Sequence, residues 1–317
     1  MGKTRLFFVT DVHGSDRCFR KFVNAGKFYH ANALILGGDI TGKMIVVIVK
    51  KPDGTYQTDY TGEKVSLKPG LELEAMVKNI KDVGYYPYVC EQKDVGELNA
   101  RPELVTETFN RLMVEDVRRW VNLAEERLKG TGIQCYISPG NDDILEIDKE
   151  LSSSTVVENP EEKVVSIDGR HEMITLGTTN RTPWHSPREV DEEVLERKID
   201  VLAAQVKEMS EAIFNVHVPP KDTAIDQAPK LDESLAPVTS GGQIVIAPAG
   251  SAACRNSILK HQPLMGLHGH IHESRGLVKL GRTLCFNPGS EYGEGILRGL
   301  LCDIERDQIK SYLLTSG

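Results

Sequence analysis

Leu6-Phe7-Phe8-Val9-Thr10-Asp11-Val12-His13-Gly14 decides how the rest of the chain is read. Four consecutive apolar residues predict a strand buried on both faces, as in the parallel sheets of α/β proteins. A carboxylate and an imidazole follow directly, two residues apart, and then a glycine. In extended backbone, positions i and i+2 point to one side, so Asp11 and His13 can reach into one crevice. In open α/β sheets that crevice lies at the carboxyl ends of the strands.

The pattern recurs downstream. Ala33-Leu34-Ile35-Leu36 predicts a second buried strand and runs into Gly37-Gly38-Asp39. Ile133–Ile137 predicts a third, followed by Gly140-Asn141-Asp142-Asp143. Ala212–Val216 predicts a strand ending at His217, and Pro263–Leu267 one ending at His268-Gly269-His270-Ile271-His272. Helices are expected between these strands. One should run from Ser15 to Tyr29. A longer one over 103–129 rests on Val105, Phe109, Leu112, Val117, Trp120, Ala124 and Leu128 at helical spacing, with Gly130 and Gly132 to end it. Ser186-Pro187-Arg188-Glu189 reads as a capping box that starts a helix reaching about Met209. Ser251–His261 completes the set. Short strands are expected near 164–167 and 173–176, and along the tail at 277–280, 283–286, 296–302 and 309–314. The whole of 1–317 therefore reads as a single α/β domain.

Residues 43–106 have a different character. Ile45–Val49 and Thr55–Tyr60 flank the turn signal Pro52-Asp53-Gly54 and predict a hairpin, with a short helix over 70–83 and then Tyr85-Tyr86-Pro87-Tyr88. We read this stretch as an insertion after the second strand. It would serve as a lid over the crevice or as a homo-oligomer contact, and its aromatic and apolar excess favours the contact.

Composition narrows the field. A chain of 317 residues can bury a sizeable core without staples. A formal charge of −8 argues against nucleic acid or an anionic membrane as a partner. The longest apolar runs, such as Met44–Val49, are far too short to span a bilayer. The first residues show no apolar signal segment, and Leu6 breaks the myristoylation pattern. Cys18, Cys90, Cys135, Cys254, Cys285 and Cys302 are scattered without a C-x-x-C pair. Free thiols in a reducing compartment, and hence a cytoplasmic protein, are the expectation.

The strand-end residues form a ligand set: Asp11, His13, Asp39, Asn141, His217, His270 and His272. Carboxylates, imidazoles and an amide oxygen without a thiolate suit Mn, Fe, Zn, Co or Ni. The set is too large for one first-row ion and fits two ions that share a carboxylate. Two such ions outweigh the charge of Asp11 and Asp39, so the site should attract a hydroxide and a phosphoryl group.

Asp11-Val12-His13, Gly38-Asp39, Gly140-Asn141-Asp142-Asp143, His217 and Gly269-His270-Ile271-His272, in that order, resemble the calcineurin-like metallophosphoesterases. The finer texture is similar to the Icc-related predicted phosphoesterases: His217-Val218-Pro219-Pro220, His268 through Ser274, and Asn287-Pro288-Gly289-Ser290. The resemblance implies a four-layer αββα sandwich carrying an inserted hairpin and helix. It implies one divalent ion on Asp11, His13 and His272, and a second on Asn141, His217 and His270, with Asp39 bridging them. Mn²⁺ is the first expectation. The implied reaction is hydrolysis of a small phosphoester by a hydroxide bridging the two metals. Asp39, Asn141, Asp142 and His268 are the catalytic candidates.

One position departs from the family. Many members have His directly after the Asn of the third block, where it protonates the leaving group or steadies the phosphate, and here the residue is Asp142. A carboxylate with an ordinary pKa is ionised at pH 7, a poor acid, and repels phosphate. That tilts the expectation toward phosphodiesters. Asp142 could instead bind a metal's water or cap the following helix, with His185 or His268 as substitute acid. A nuclease and a non-catalytic metal-binding scaffold are the alternative functions. Arg255 reads as solvated or as a phosphate contact, and Asn287–Ser290 as a structural turn. His30, His171 and His261 read as surface or helix-end residues.

Overall fold

The computed structural model describes residues 2–317. Two six-stranded mixed sheets carry the fold. The first runs in the order Gln308–Ser316, Arg298–Glu305, Thr4–Val9, Ala33–Gly37, Gln134–Ser138, Val157–Glu158. Its last four strands are parallel to one another, and Arg298–Glu305 pairs antiparallel to Thr4–Val9. The second sheet has the order Gly276–Leu280, Thr283–Asn287, Met265–Leu267, Ile213–Val216, Glu172–Leu176, Val164–Ser166. Its middle four strands are parallel and its two edges antiparallel. The α/β class expected from the sequence is the class observed.

Strand alternation explains why the central runs are apolar throughout. Leu6, Phe8, Ala33 and Ile35 of the first sheet share one core cluster with Met173, Ile213, Met265, Leu267 and Phe286 of the second. The alternate residues Phe7, Val9, Leu34 and Leu36 point the other way, onto Phe19 and Phe22 of the helix Asp16–Phe28 and Val117, Trp120 and Ala124 of Pro102–Leu128. On the second sheet, Ile174, Leu176, Phe214 and Val216 meet Leu195 and Ile199 of Glu192–Ala203 and Ile258 of Ala252–His261. Each central strand is thus buried on both faces, as parallel sheets require. All six cysteines are free and buried.

The insertion is larger than a hairpin and a helix. Glu63–Leu67, Tyr56–Tyr60, Ile45–Lys50 and Tyr86–Glu91 form a four-stranded sheet in that order. Ile45–Lys50 and Tyr86–Glu91 are parallel and joined through the helix Leu71–Asp82. Val46, Ile48, Leu67 and Ile80 give the sheet a small core of its own. A second helix, Gln92–Ala100, leads into Pro102–Leu128, so the long helix begins before position 106.

The capping box at Ser186 does not start a helix. The helix begins at Glu192, and Glu189–Val190 instead pairs with Thr179–Asn180. Tertiary bonds claim the box. Ser186 Oγ donates to Asp142, Glu189 accepts from Thr182, and Arg188 reaches the Asp143 and Ile144 carbonyls and the Asp148 carboxylate. His171 is not a surface residue either. It is 2% exposed, with Nδ1 2.6 Å from Asp168 and Nε2 2.9 Å from the Arg306 carbonyl. No helix among the described residues is long and apolar enough to cross a membrane.

Candidate metal centre

The loops that leave the first sheet continue its hydrogen-bonding beyond the strands. The amides of Asp11, His13 and Gly14 donate to the carbonyls of Gly38, Asp39 and Ile40 at 3.0, 3.0 and 2.8 Å. The backbone here is not extended, contrary to the i, i+2 reasoning. Asp11, His13, Asp39 and His270 all have positive φ, at 53°, 38°, 50° and 65°. Left-handed turns, not strand alternation, aim these side chains. For non-glycine residues such turns are costly and concentrate at functional sites. Gly38 sits at φ 116°, and a Cβ there would collide with the His217 ring, so only glycine lets this ring close on the sheet edge.

Two trios of metal-capable atoms result, each within 4.8 Å: Asp11, His13 and His272, and Asp39, His217 and His270, with a third group of His13, Asp39 and Asp142 overlapping both. The Asp39 Oδ2 atom joins them, 3.4 Å from His217 Nε2 and 3.7 Å from His13 Nε2. The Asp11 Oδ1 atom lies 3.4 Å from His272 Nε2 and 3.7 Å from His217 Nε2. Asn141 Oδ1 is 2.8 Å from His270 Nδ1. All seven residues predicted from the sequence therefore meet in one place. Asp11, His13, Asp39, Asn141 and His217 are buried, while His270 and His272 are partly exposed toward the mouth.

Backbone carbonyls orient the imidazoles. His217 Nδ1 lies 2.9 Å from the Gly37 carbonyl and His13 Nδ1 3.3 Å from the Thr41 carbonyl. A proton donated there leaves each Nε2 as the free electron pair facing the cluster. His13 Nε2 and His272 Nε2 face each other at 3.0 Å, and His217 Nε2 is buried without a hydrogen-bond partner. Electron pairs converging on buried carboxylates call for a shared cation.

Charge shows the same demand. Burial opposes the charged form of His217, but Asp39 and Asp11 outweigh it and hold the imidazole up at about 10. Burial also works against the Asp39 carboxylate, yet His217 and His13 keep it well below the usual range. Burial and Lys43 push His13 down to about 3, and burial and His217 push His270 down to about 4. Without a metal, a proton on His217 supplies the positive charge that two buried carboxylates require.

Asp143 takes no part in the cluster but builds it. Its carboxylate accepts from the amides of Ile40, Thr41 and Gly140 and from the Thr41 hydroxyl, at 2.6 to 3.0 Å. It thereby clamps the second loop to the third. Burial and the nearby Asp39 raise Asp143 to about 6. The Asp142 amide donates to Asp39 Oδ1 at 3.0 Å and fixes the bridging carboxylate.

His268, expected as a catalytic candidate, is fully buried. Its Nδ1 lies 2.7 Å from the Val216 carbonyl and 3.2 Å from that of Val218, and its Nε2 lies beside Gly266, buried without a hydrogen-bond partner. It is a buried brace for the strand end that carries His217. His185 is exposed, and Arg255 clasps the Lys221 and Asp222 carbonyls. Asn287–Ser290 is a structural turn: Asn287 Nδ2 donates to the Ile271 carbonyl and Ser290 Oγ to that of Asp11.

Two residues at the mouth gave no sequence signal. Tyr292 lays its ring 4.7 Å from that of His13 and edge-on to His272 at 5.9 Å. Lys43, the first residue of the insertion, places Nζ 2.8 Å from Asp142 Oδ2.

No family model matches the chain. Over 153 residues it is 31% identical to the uncharacterized protein MJ1162 of Methanocaldococcus jannaschii, a stretch covering 47% of this chain and 61% of the relative. The chain thus spans less than two thirds of that relative's length. One solved structure superposes with a TM-score of 0.58 at 14% identity over 99% of both chains. The protein TT1561 of Thermus thermophilus gives 0.52 at 14% identity, covering 97% of this chain and 100% of that one. At such identities the likeness is one of fold alone.

Proposed function

We propose that the protein is a metal-dependent phosphoesterase of the calcineurin-like kind, its two sheets and flanking helices forming the four-layer αββα sandwich of that family. In this reading Asp11, His13 and His272 hold one divalent ion, Asn141, His217 and His270 hold the other, and Asp39 serves both. Mn²⁺ is the first candidate on the mixed N/O donor set. The observation that carries the reading is the position of Asp39, whose one oxygen lies within 3.7 Å of an imidazole from each trio.

Bound there, a pair of divalent ions supplies an activated water and positive charge against phosphoryl oxygens. The chain's own residues do the rest. Gly37 and Thr41 hold the imidazoles in register, the Asp142 amide holds Asp39, and Tyr292 covers His13 on the open side. Asp142 is not placed as an acid. Its Oδ1 accepts from Asn141 Nδ2 at 2.9 Å and Ser186 Oγ at 2.7 Å, and its Oδ2 faces Lys43. The leaning toward diesters assumed a carboxylate with no counter-charge. With Lys43 against it, both mono- and diesters are candidate substrates.

The test strips the protein with chelator, reloads it with Mn²⁺, and follows p-nitrophenyl phosphate beside bis-p-nitrophenyl phosphate. Two ions per chain and metal-dependent hydrolysis of either ester support the reading. Two ions bound with neither ester cleaved would sink it.

A further inference from the structure

We propose that Lys43 binds a non-bridging phosphoryl oxygen of the substrate, and that Asp142 is the pedestal that holds it there. The inference rests on the phosphoesterase reading above and adds the residue that senses the charge of the substrate.

The hydrogen-bonding capacities point one way. Asp142 has both oxygens engaged by the protein: Asn141 and Ser186 on Oδ1, Lys43 on Oδ2. An ammonium has three protons, and this pair uses one. The Lys43 side chain is 46% exposed and that of Asp142 26%, so the ammonium is the more open to solvent of the two. One carboxylate oxygen of Asp142 lies within 4.8 Å of a ligand atom of His13 and of Asp39, one from each trio, and Lys43 pairs with that carboxylate. A phosphoryl group over the two trios would come within its reach.

The position is built, not incidental. The Gly42 amide donates to the Tyr86 hydroxyl at 2.8 Å, and the two residues before it are tied to Asp143. Lys43 is therefore held from the insertion on one side and from the third strand's loop on the other. A positive charge so placed favours a monoester dianion over a diester monoanion, since attraction scales with the product of the charges.

The experiment uses the full chain loaded with Mn²⁺, as wild type, Lys43→Met and Lys43→Arg. It measures kcat/KM on p-nitrophenyl phosphate and bis-p-nitrophenyl phosphate, orthophosphate affinity by calorimetry, bound Mn²⁺ and thermal stability. Loss of one charge-assisted hydrogen bond should lower monoester kcat/KM in Lys43→Met by about 10- to 100-fold. The diester should fall several-fold less and phosphate affinity about tenfold, with Mn²⁺ content and stability unchanged. Lys43→Arg should recover most of the loss. A Lys43→Met protein with wild-type phosphate affinity and an unchanged monoester-to-diester ratio would overturn the proposal, and so would one that has lost its metal. If the wild type with two ions bound cleaves neither ester, the phosphoesterase reading fails instead. The phosphate titration then decides Lys43 alone: weaker binding in Lys43→Met keeps the anion site, and equal binding removes it.

Discussion

The strand ends of the two main sheets and the inserted four-stranded sheet reach the same crevice by different means. The strand ends bring the metal-capable side chains, each on a loop that leaves a largely buried parallel strand. The insertion brings no member of either trio. Apart from Lys43 at its first position, it brings backbone and packing. Ser15 Oγ donates to the Asp82 carbonyl at 2.6 Å, Arg17 pairs with Asp82, and the Tyr86 hydroxyl holds the Gly42 amide. Gly84 lies so close to the His13 carbonyl that a Cβ would collide with it, and the Tyr292 ring would stand 3.1 Å away. The labour is divided: the main sheets bring the metal-capable groups, and the insertion, beyond Lys43, fixes how tightly the loops are held.

Asp39, at a strand end, should give the most severe loss. Asp39→Asn keeps the shape but removes the charge shared by the two trios. Activity should fall by about 10³-fold or more, with at least one Mn²⁺ lost, on the scale of removing a metal-dependent term. Hydrolysis within about tenfold of wild type, with both ions bound, would show that the strand ends do not set the chemistry.

Next comes pH. His217 is held up at about 10, against an ordinary value of 6.5, so its contribution to metal-free stability is full below pH 6.5 and lost as pH rises through 10. Burial raises Glu161 to about 8 from 4.5, and its contribution is likewise lost between those values as pH rises. The metal-free protein should therefore lose roughly 5–10 °C in Tm between about pH 7 and 9.5. Mn²⁺ takes the place of the His217 proton and should flatten the part of the slope above about pH 8. Equal slopes with and without metal would separate His217 from the metal centre.

Two glycines of the insertion test how it is seated. Gly84 and Gly62 have similar φ, 90° and 81°, but Gly62 has no atom within 4 Å of its Cβ position. Gly62→Ala should cost about 1 kcal/mol from the left-handed backbone alone and leave activity unchanged. Gly84→Ala adds a clash with His13 and should cost about 2–4 kcal/mol, with weaker Mn²⁺ binding. Urea unfolding and metal titration measure both. Equal costs would mean that the insertion is not seated on the ligand loops.

The strand ends were legible because their signals are local. An apolar run followed by Gly-Asp, Gly-Asn or a histidine pair states both the strand and the side chain at its end. Even so, the local geometry was not legible: left-handed turns at Asp11, His13 and His270 replaced the expected extended backbone. Ser186-Pro187-Arg188-Glu189 misled because Asp142, Asp143 and Asp148, distant in the chain, compete for the same groups that would cap a helix. His268 misled in the opposite sense. It follows an apolar strand like the members of the trios, but its Nδ1 is taken by the Val216 and Val218 carbonyls and its Nε2 lies beside Gly266. Lys43 and Tyr292 gave no signal at all, since nothing in their neighbours marks a charged or aromatic side chain as facing a site formed across the chain.

The mildest change concerns one hydroxyl. Tyr86 is buried, and its oxygen accepts from the Gly42 amide at 2.8 Å, in the loop between Asp39 and Lys43. Tyr86→Phe leaves the ring packed against Phe109 and removes only that acceptor. A buried amide without a partner costs about 1–3 kcal/mol, so Tm should fall by a few degrees. If the insertion holds the loop for the site, the same change should also lower kcat/KM severalfold and weaken phosphate binding, because Lys43 is the next residue along. Tyr88 is the control: it lies two residues further on the same strand, half-buried, with no bond to the loop, and Tyr88→Phe should change neither. A Tyr86→Phe protein that loses stability but keeps wild-type kinetics and phosphate affinity would make the insertion a structural prop whose influence stops at Gly42.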